Sequence, residues 1–330
     1  RLDFIIYERP GAWATEEELN ELTSTLKSIA KSAQHKDELP EYGCLLGGRQ
    51  DLAQRVISIA YDNKLKRAVG FSAQSYLDIE QGNFKEQVLH LGLIYIDPTY
   101  QGKSVSYLLA MLPNILIMIK NGFRDLWVSN VTQVPVIYGL GAANYYYVHP
   151  TNGKDSEQGF YHRYLAHQIF QNHKPVFGVG EDAFYDADLQ IIKNSYTGGS
   201  DHLKKTFEIT AKHRKQSYND YCEKHLDYSR GDDFVQVGKL SANSFIQLFK
   251  NKKGQGLVEY LLLVALMAVA SIAVLKVLQK TMNVQYANII KSLQGEDGGK
   301  VQHERVRESH YKKKDLNDFM QGAVNKGGSE

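Results

Sequence analysis

A short stretch of small and polar residues, Gln101-Gly102-Lys103-Ser104-Val105-Ser106, stands between an apolar strand-like segment and a long apolar segment of helical composition. At a helix N-terminus, consecutive backbone N–H groups lack intrahelical acceptors, and the helix dipole favours anions there. Small residues let such a backbone approach a phosphate, and Lys103 adds a positive charge. The stretch therefore has the composition of a pyrophosphate site; a plain loop between a buried strand and a buried helix is the alternative.

A second chemical feature is a carboxylate, Glu259, at the start of the apolar run Tyr260–Leu278. Burying an unpaired carboxylate is strongly unfavourable, so the position of Glu259 requires a physical reason. The 19 residues of the run would span roughly 28 Å as a helix, which matches the hydrocarbon core of a bilayer. The run predicts one membrane-spanning helix, with a buried core helix as the alternative. Three lysines just before it orient that side toward the cytoplasm.

Overall composition excludes several classes of protein. A net charge of +2 over 330 residues favours neither a nucleic-acid binder nor an acidic solvating protein. Cys44 and Cys222 are far apart, which argues against a disulfide framework and a cysteine-based zinc site. The irregular histidine spacing predicts no metal. No signal peptide is evident, and because the chain begins with Arg1 rather than Met we expect its natural N-terminus to lie upstream.

Hydrophobic periodicity predicts the elements that position these groups. Thr15 and Glu18 form a capping-box pattern at the start of the first helix. In chain order, the predicted elements are a helix from Thr15 to about Ala33, a hairpin of Arg55–Tyr61 and Ala68–Tyr76, a strand Gln87–Ile96 ended by Asp97-Pro98, a helix from Ser104 to about Lys120 kinked at Pro113, a strand Asp125–Asn130 and a short helix Gln133–Leu140.

This order of elements resembles the GNAT superfamily of N-acetyltransferases over about residues 14–141. Residues Ile94–Leu109 are similar to the family's acetyl-CoA loop, Arg/Gln-x-x-Gly-x-Gly/Ala, with Gln101 at its first position; Ser104 and Ser106 stand where glycines are usual. The resemblance implies an acyl-CoA co-substrate, an amine acceptor and a mixed central sheet flanked by helices. It places the cofactor-binding residues at Ile94, Ile96, Gln101, Gly102, Lys103, Ser104, Val105 and Ser106.

The segment Val131–Tyr138 resembles the part of the same family in which a tyrosine often protonates the leaving thiolate. On this resemblance Tyr138 is the candidate general acid, and a buried structural tyrosine is the alternative. A general base stays open: His90 lies on the third predicted strand, and Glu80 and Glu86 flank the loop before it.

The residues from Gly254 to Tyr260 resemble the prepilin processing signal of Flp/Tad-type IV pilins. In that family a prepilin peptidase cuts after the glycine, which would free the ammonium group of Gln255 to neutralise Glu259 of a neighbouring subunit. The pair Glu259-Tyr260 marks the Flp-type subfamily, and a plain single-span anchor is the alternative. The resemblance implies pilin-like self-assembly and a single-pass protein of the bacterial inner membrane, with its soluble part in the cytoplasm.

The sequence thus predicts an α/β (α+β) fold with a GNAT-like mixed central sheet, followed by a single long pilin-like transmembrane helix. The two open functions are a membrane-held acyl-CoA-dependent N-acyltransferase and a structural pilin precursor that carries a non-catalytic GNAT-like domain. We expect residues 230–244 to connect the soluble part to the membrane. The predicted regions are a GNAT-like domain at 1–141, an aromatic-rich extension at 142–240, a basic linker and leader end at 241–254, and a pilin-like helix and tail at 255–330.

Overall fold

A computed structural model describes residues 2–34, 39, 43–81, 84–101, 103–152, 158–196, 204–241, 282 and 286. The chain divides into two units, Arg1–Gln255 and Gly256–Glu330, and the second is described only at two exposed helical residues. The predicted membrane helix and the processing residues Gly254, Gln255, Glu259 and Tyr260 lie outside the described residues. Among the helices that the structure does describe, none combines the length and apolar character needed to cross a bilayer.

The first unit alternates strands and helices. Its strands are β1 (Leu2–Glu8), β2 (Arg55–Asp62), β3 (Arg67–Gln81), β4 (Phe84–Ile96), β5 (Leu126–Thr132), β6 (Tyr146–His149), β7 (Phe184–Asp186), β8 (Ile191–Lys193) and β9 (Asp233–Leu240). Its α-helices are α1 (Pro10–Trp13), α2 (Glu16–Gln34), α3 (Arg49–Ala53), α4 (Val105–Lys120), α5 (Pro135–Asn144), α6 (Phe160–His173) and α7 (Gln216–His225). Short 3₁₀ helices cover Gly43–Leu45, Pro98–Tyr100 and Lys174–Phe177.

The described strands form one mixed sheet in the order β1-β2-β3-β4-β5-β9-β8-β7, with β6 also paired to β9. The pairing of β4 with β5 is parallel, and the other pairings are antiparallel. Parallel neighbours need a crossover connection, and α4 supplies it. The predicted mixed α/β architecture, a central sheet flanked by helices, is confirmed.

The sheet has two buried faces, because successive side chains of a strand point to opposite sides. On one face, which we call the α4 face, Val56, Leu89 and Val128 pack against Met111 and Met118 of α4. The opposite face, here the α2 face, packs on α2 toward one side and on α6 toward the other. Two helical layers therefore enclose the strands that carry the candidate site.

Pro113 lies inside α4 and leaves the Leu109 carbonyl without its usual helical donor, because proline has no N–H. The Ser58 hydroxyl on β2 donates to that carbonyl at 2.6 Å. The helix continues through the proline to Lys120. A lost helical hydrogen bond is thus replaced by a bond that ties α4 to the sheet.

Several local predictions are confirmed. The Thr15 N–H donates to Glu18 Oε2 at 2.7 Å and the Glu18 N–H donates to Thr15 Oγ1 at 3.3 Å, as a capping box requires. The predicted hairpin is formed by β2 and β3, and the helix predicted from Ser104 to about Lys120 is α4. These elements depend on contacts between residues that are near in sequence.

The expectation for residues 230–244 was wrong. Within that range Asp233–Leu240 forms β9, which pairs along β5 from Leu126↔Leu240 to Thr132↔Phe234. Nearly every side chain of this strand is buried, because both of its faces are covered. Residues 142–240 consequently contribute strands to the same sheet as residues 1–141.

Candidate active site

Strands β4 and β5 separate in the middle of the sheet. They pair only from Val88↔Trp127 to Leu91↔Asn130, although β4 continues to Ile96 and β5 to Thr132. Residues 91–96 of β4 are half-exposed, which is unusual for a central strand with helices on both faces. We call this gap the β4–β5 opening. It leaves one edge of β4 with backbone N–H and C=O groups that do not pair with β5.

A bulge in β4 accompanies the opening. The register with β3 passes from Gln74↔Leu91 to Ser72↔Ile94, so that two residues of β4 oppose Ala73 alone. A Cβ atom at Gly92 would lie 2.3 Å from the Ala73 carbonyl oxygen, so a side chain there would collide with the backbone. The bulge bends β4 locally, as such insertions do.

A rigid turn carries the chain from β4 to α4. The Asp97 carboxylate accepts hydrogen bonds from the Thr99 N–H at 3.0 Å and the Thr99 hydroxyl at 2.6 Å, and it pairs with Arg67 at 2.8 Å. Burial raises the pKa of Asp97, but these bonds from Thr99 and Arg67 outweigh it and hold the pKa at about 2. Asp97 is therefore ionised at neutral pH and fixes the start of the loop.

The loop then reaches the N-terminus of α4. Ser104 has φ 60° and ψ 12°, the left-handed conformation that glycine adopts most easily, and its side chain makes no capping hydrogen bond. Lys103 is exposed, with its ammonium 5.0 Å from the centre of the Tyr100 ring. Val105 and Ser106 begin the helix. Their amides belong to the first turn, where helix geometry leaves N–H groups available to an anion.

The structure therefore brings together most of the predicted cofactor-binding residues. Ile94 and Ile96 lie on β4 along the opening. After the C-terminal end of that strand, the chain continues through Gln101, Lys103, Ser104, Val105 and Ser106. Gly102 lies outside the described residues. The arrangement joins an open strand edge to a helix N-terminus.

Tyr138 has a different environment. It lies on α5, is fully buried, and packs 5.3 Å from the Tyr221 ring and 5.2 Å from the Phe234 ring, centre to centre. The other buried members of its hydrophobic cluster are Ile191, Tyr218, Cys222, Leu226 and Phe234. Burial raises the pKa of Tyr138 far above its ordinary value, and the neighbouring Tyr221 and Cys222 raise it further. The hydroxyl keeps its proton at neutral pH, and its catalytic role stays a prediction.

None of the candidate bases lies free at the opening. His90 is buried, with Nδ1 2.9 Å from the Ser129 hydroxyl, and burial is the main cause that lowers its pKa to about 3. Glu80 pairs with Lys85 at 3.2 Å, and Glu86 lies near the start of β4. Glu86 and its neighbour Glu80, near the end of β3, are thus far from the loop, since the length of β4 separates them by roughly 30 Å at the usual rise per residue.

Sequence reasoning missed a set of buried polar residues around the opening. On the α4 face these are Ser72, Gln74, Asn114 and Asn130, each fully or almost fully buried. On the α2 face Arg55 begins β2 and is also buried. The only sequence signal for them is a polar residue inside an otherwise apolar run. Over the described residues, no histidine, cysteine and carboxylate side chains gather into a group able to hold a metal ion.

Comparison with known proteins finds similarity in structure only. No protein-family model and no curated protein matches the sequence. A GNAT-family acetyltransferase from Desulfovibrio desulfuricans is 12% identical over 44% of this chain and 85% of its own, with a TM-score of 0.31. The PaiA N-acetyltransferase from Thermoplasma acidophilum, in complex with coenzyme A, is 18% identical over 46% and 94%, with a TM-score of 0.29.

An acetyltransferase from Vibrio fischeri is 16% identical over 38% of this chain and 93% of its own, with a TM-score of 0.26. At such identities and scores the likeness concerns part of the fold. It carries no argument about the reaction.

Proposed function

We propose that the chain is an acyl-CoA-dependent N-acyltransferase of the GNAT type, which transfers an acetyl or other acyl group to an amine. The observation that carries the proposal is the β4–β5 opening, which runs directly into the N-terminus of α4. An elongated substrate with amides along its length and phosphates at one end fits this arrangement. Coenzyme A thioesters have that chemistry.

The phosphate end would lie at the loop. Amides of Lys103 to Ser106 and the dipole of α4 favour a pyrophosphate, and the Lys103 ammonium adds an exposed positive charge. The amide-bearing arm would lie along residues 92–96 of β4, where the strand edge has no partner from β5. The arm would form hydrogen bonds with the free edge of β4, in the way that an added β-strand does.

Acyl transfer to an amine needs a neutral amine, donors for the thioester oxygen, and a proton for the leaving thiolate. We keep Tyr138 as the proposed acid because of the resemblance of the segment Val131–Tyr138, although burial raises the pKa of Tyr138 and so opposes release of its proton. His90 is neutral at physiological pH but is engaged with Ser129, so we assign it no proton transfer. The amine would then lose its proton to solvent before it reacts.

Calorimetric titration of the full chain with acetyl-CoA tests the proposal. Saturable binding, followed by release of free CoA when a panel of polyamines, aminoglycosides, amino acids and lysine peptides is added, would support it. If millimolar acetyl-CoA produces neither heat nor a thermal shift, the proposal is wrong for this chain.

A second candidate function follows from the sequence near residue 254. We propose that the chain is also a Flp/Tad-type prepilin, on the grounds that Glu259 stands five residues beyond Gly254 and directly before an apolar run. A single span would then hold it in the bacterial inner membrane with residues 1–253 in the cytoplasm. If the acyltransferase has no activity, the chain would be a structural pilin precursor.

Co-expression with a prepilin peptidase tests this second candidate. We expect cleavage between Gly254 and Gln255, detected by N-terminal sequencing of the small fragment, and we expect Gly254→Val to block the cut while membrane insertion persists. A fragment that starts elsewhere, or no fragment while a known prepilin is cut, would rule out processing at Gly254.

A further inference from the structure

Four polar side chains between α4 and the sheet are buried without all the hydrogen bonds that such groups normally make. Within the part of the chain that the structure describes, no partner is present for Ser72 Oγ, Gln74 Oε1, Asn130 Oδ1 or either side-chain amide atom of Asn114. Each of these residues is at most 1% exposed. Buried polar atoms nearly always have a partner, because leaving them without one is unfavourable. We call the four residues the amide cluster, and their free atoms indicate a bound partner.

Three members of the amide cluster lie on one face of the sheet. Gln74 of β3 pairs with Leu91 of β4, and Leu91 pairs with Asn130 of β5. Directly paired residues share a face, and so do residues two apart in one strand, which adds Ser72. This is the α4 face, because Gln74 Nε2 donates to the Ala110 carbonyl of α4 at 2.8 Å.

Asn114 faces the same space from the helix. In an α-helix the N–H of residue 114 points to the carbonyl of Ala110, which is the oxygen that also receives Gln74. Asn114 is three residues after Met111 and four before Met118, and both methionines pack on the sheet. The Asn114 amide therefore projects toward the sheet, beside Gln74.

The amide cluster lies where the β4–β5 opening begins. Leu91 and Asn130 are the last residues that pair before the two strands separate. Two residues earlier on the same face, Leu89 and Val128 are fully buried, whereas Leu91 is partly exposed. Solvent therefore reaches the sheet at Leu91, which stands between Gln74 and Asn130.

Two backbone carbonyls fix the direction of the hydrogen bonds in the cluster. A carbonyl only accepts, so the nitrogen of Gln74 must face Ala110, and its oxygen stays free to accept. Gln236 Nε2 donates to the Pro150 carbonyl at 3.0 Å, so the oxygen of Gln236 accepts from Asn130 Nδ2 at 2.9 Å. Asn130 Oδ1 is thereby left as a second free acceptor. Two free acceptors require a ligand that donates.

We propose that the amide cluster binds a hydroxyl group on the acyl chain of the co-substrate, a proposal that rests on the acyltransferase function proposed above. In that function the phosphates lie at the start of α4 and the arm runs along residues 92–96, so the thioester and its acyl group come beside Leu91. A hydroxyl there donates to Gln74 or Asn130 and accepts from the Asn114 amide.

The chain would thus transfer a hydroxyacyl group. In the reaction the thioester C–S bond breaks and the amide C–N bond forms, the amine releases a proton, the thiolate takes one up, and the hydroxyl is unchanged. A carboxylate at the same place does not fit. It has no hydrogen to donate, and it would meet two acceptor oxygens and no positive charge among the four side chains of the cluster.

Two other partners would satisfy the same atoms, namely ordered water and the amide N–H groups of the arm itself. Both are present whatever acyl group the thioester carries. Neither therefore produces a preference for a hydroxyl, and a comparison of acyl groups separates them from the proposal.

The experiment compares coenzyme A thioesters whose four-carbon acyl groups differ in one substituent. Binding of butyryl-, 3-hydroxybutyryl-, 4-hydroxybutyryl- and succinyl-CoA to the full chain is measured by calorimetry. We expect one hydroxybutyryl ester to bind about tenfold more tightly than butyryl-CoA, because its hydroxyl supplies the missing hydrogen bonds. Succinyl-CoA should bind no more tightly than butyryl-CoA, because its carboxylate meets acceptors.

Substitution of Asn114 tests whether the preference comes from the cluster. Asn114→Leu removes the amide and should abolish the preference for the hydroxyl. Because the amide has no partner in the described part of the chain, leucine should not lower the melting temperature. Asn121→Ala changes an exposed asparagine at the end of the same helix and should match the wild type in both measurements. A large fall in the melting temperature of Asn114→Leu would show that the chain itself holds the amide, which overturns the proposal.

Wild type alone decides the main point, even if Asn114→Leu does not fold. Equal affinity for butyryl-CoA and both hydroxybutyryl esters would overturn the hydroxyl proposal and retain the acyltransferase function. Tighter binding of succinyl-CoA would overturn it in favour of an anion. If none of the thioesters binds, the acyltransferase function is rejected, and the hydroxyl proposal is rejected with it.

Discussion

The loop before α4 and the residue Tyr138 were both singled out by the same resemblance, but they have opposite environments. The loop from Gln101 to Ser106 is largely exposed and offers backbone amides at the start of a 16-residue helix. Tyr138 is completely buried among aromatic rings. The phosphate site proposed at the loop would need no repacking of the fold, whereas the Tyr138 hydroxyl must first be reached through the side chains that cover it.

The two proposed roles, phosphate binding at the loop and proton donation by Tyr138, depend on side chains to different degrees. The proposed phosphate site depends on backbone amides, and Ser104 adopts the left-handed conformation that a glycine would favour there. A general acid depends on one hydroxyl and on its access to the reacting sulfur. Substitutions at the two places should therefore separate binding from turnover.

The largest expected effect is at Tyr138. Replacement by Phe removes one hydroxyl, and if that hydroxyl is the acid we expect turnover to fall by about 10²–10⁴-fold while CoA affinity stays near wild type. Steady-state rates and calorimetry on the same protein measure both. Full activity in Tyr138→Phe would show that the tyrosine only packs in the core and takes no part in the reaction.

A charge placed in the loop should give the next largest effect. Ser106→Glu puts a carboxylate on the first turn of α4, where it would repel phosphates, and we expect acetyl-CoA affinity to fall by about 10- to 100-fold. Ser106→Ala is the matched control and should bind like the wild type. Unchanged affinity in Ser106→Glu would place the phosphates elsewhere.

Acidic pH should loosen the turn that holds the loop. The pKa of Asp97 is about 2 in the folded chain and near 3.8 in a free side chain, so its contribution to stability is complete above pH 4 and is lost as the pH falls toward 2. We expect Asp97→Asn to melt at a lower temperature than wild type at pH 7, with the gap narrowing between pH 4 and pH 2. A gap that does not change with pH would contradict this role of Asp97.

The smallest effect is expected at Ser104. Its left-handed backbone is strained for a residue with a Cβ, so Ser104→Gly should raise the free energy of unfolding by up to about 1 kcal/mol. Denaturant unfolding measures the change, and Ser104→Ala is the control that keeps the strain. Destabilisation by glycine would mean that the serine side chain supports the loop by contacts that outweigh the strain.

Predictions from the sequence succeeded where the determining contacts are local. The Thr15–Glu18 capping box, the β2–β3 hairpin and the strand–loop–helix order around Gln101 follow from neighbouring residues, and all are present. Strand β9 could not be predicted in this way. It lies beside β5, about a hundred residues earlier in the chain, and its burial on both faces depends on that distant pairing.

Arg55 illustrates the same limit for the site. In sequence it is one charged residue at the start of an apolar strand, which ordinarily indicates a solvated flank. Its burial results from the turn Gly43–Leu45 and from the pairing that aligns Ser75 and His90 with it. No spacing rule connects these positions, so the burial of Arg55 becomes visible only in three dimensions.

The position of β9 has a consequence for the order of synthesis. During translation, β5 emerges from the ribosome more than a hundred residues before Asp233–Leu240, its antiparallel neighbour. Until that segment emerges, β5 is an edge strand with unpaired N–H and C=O groups, a surface on which other chains can aggregate. The sheet of the nascent chain can therefore be completed only after Asp233–Leu240 has been synthesised.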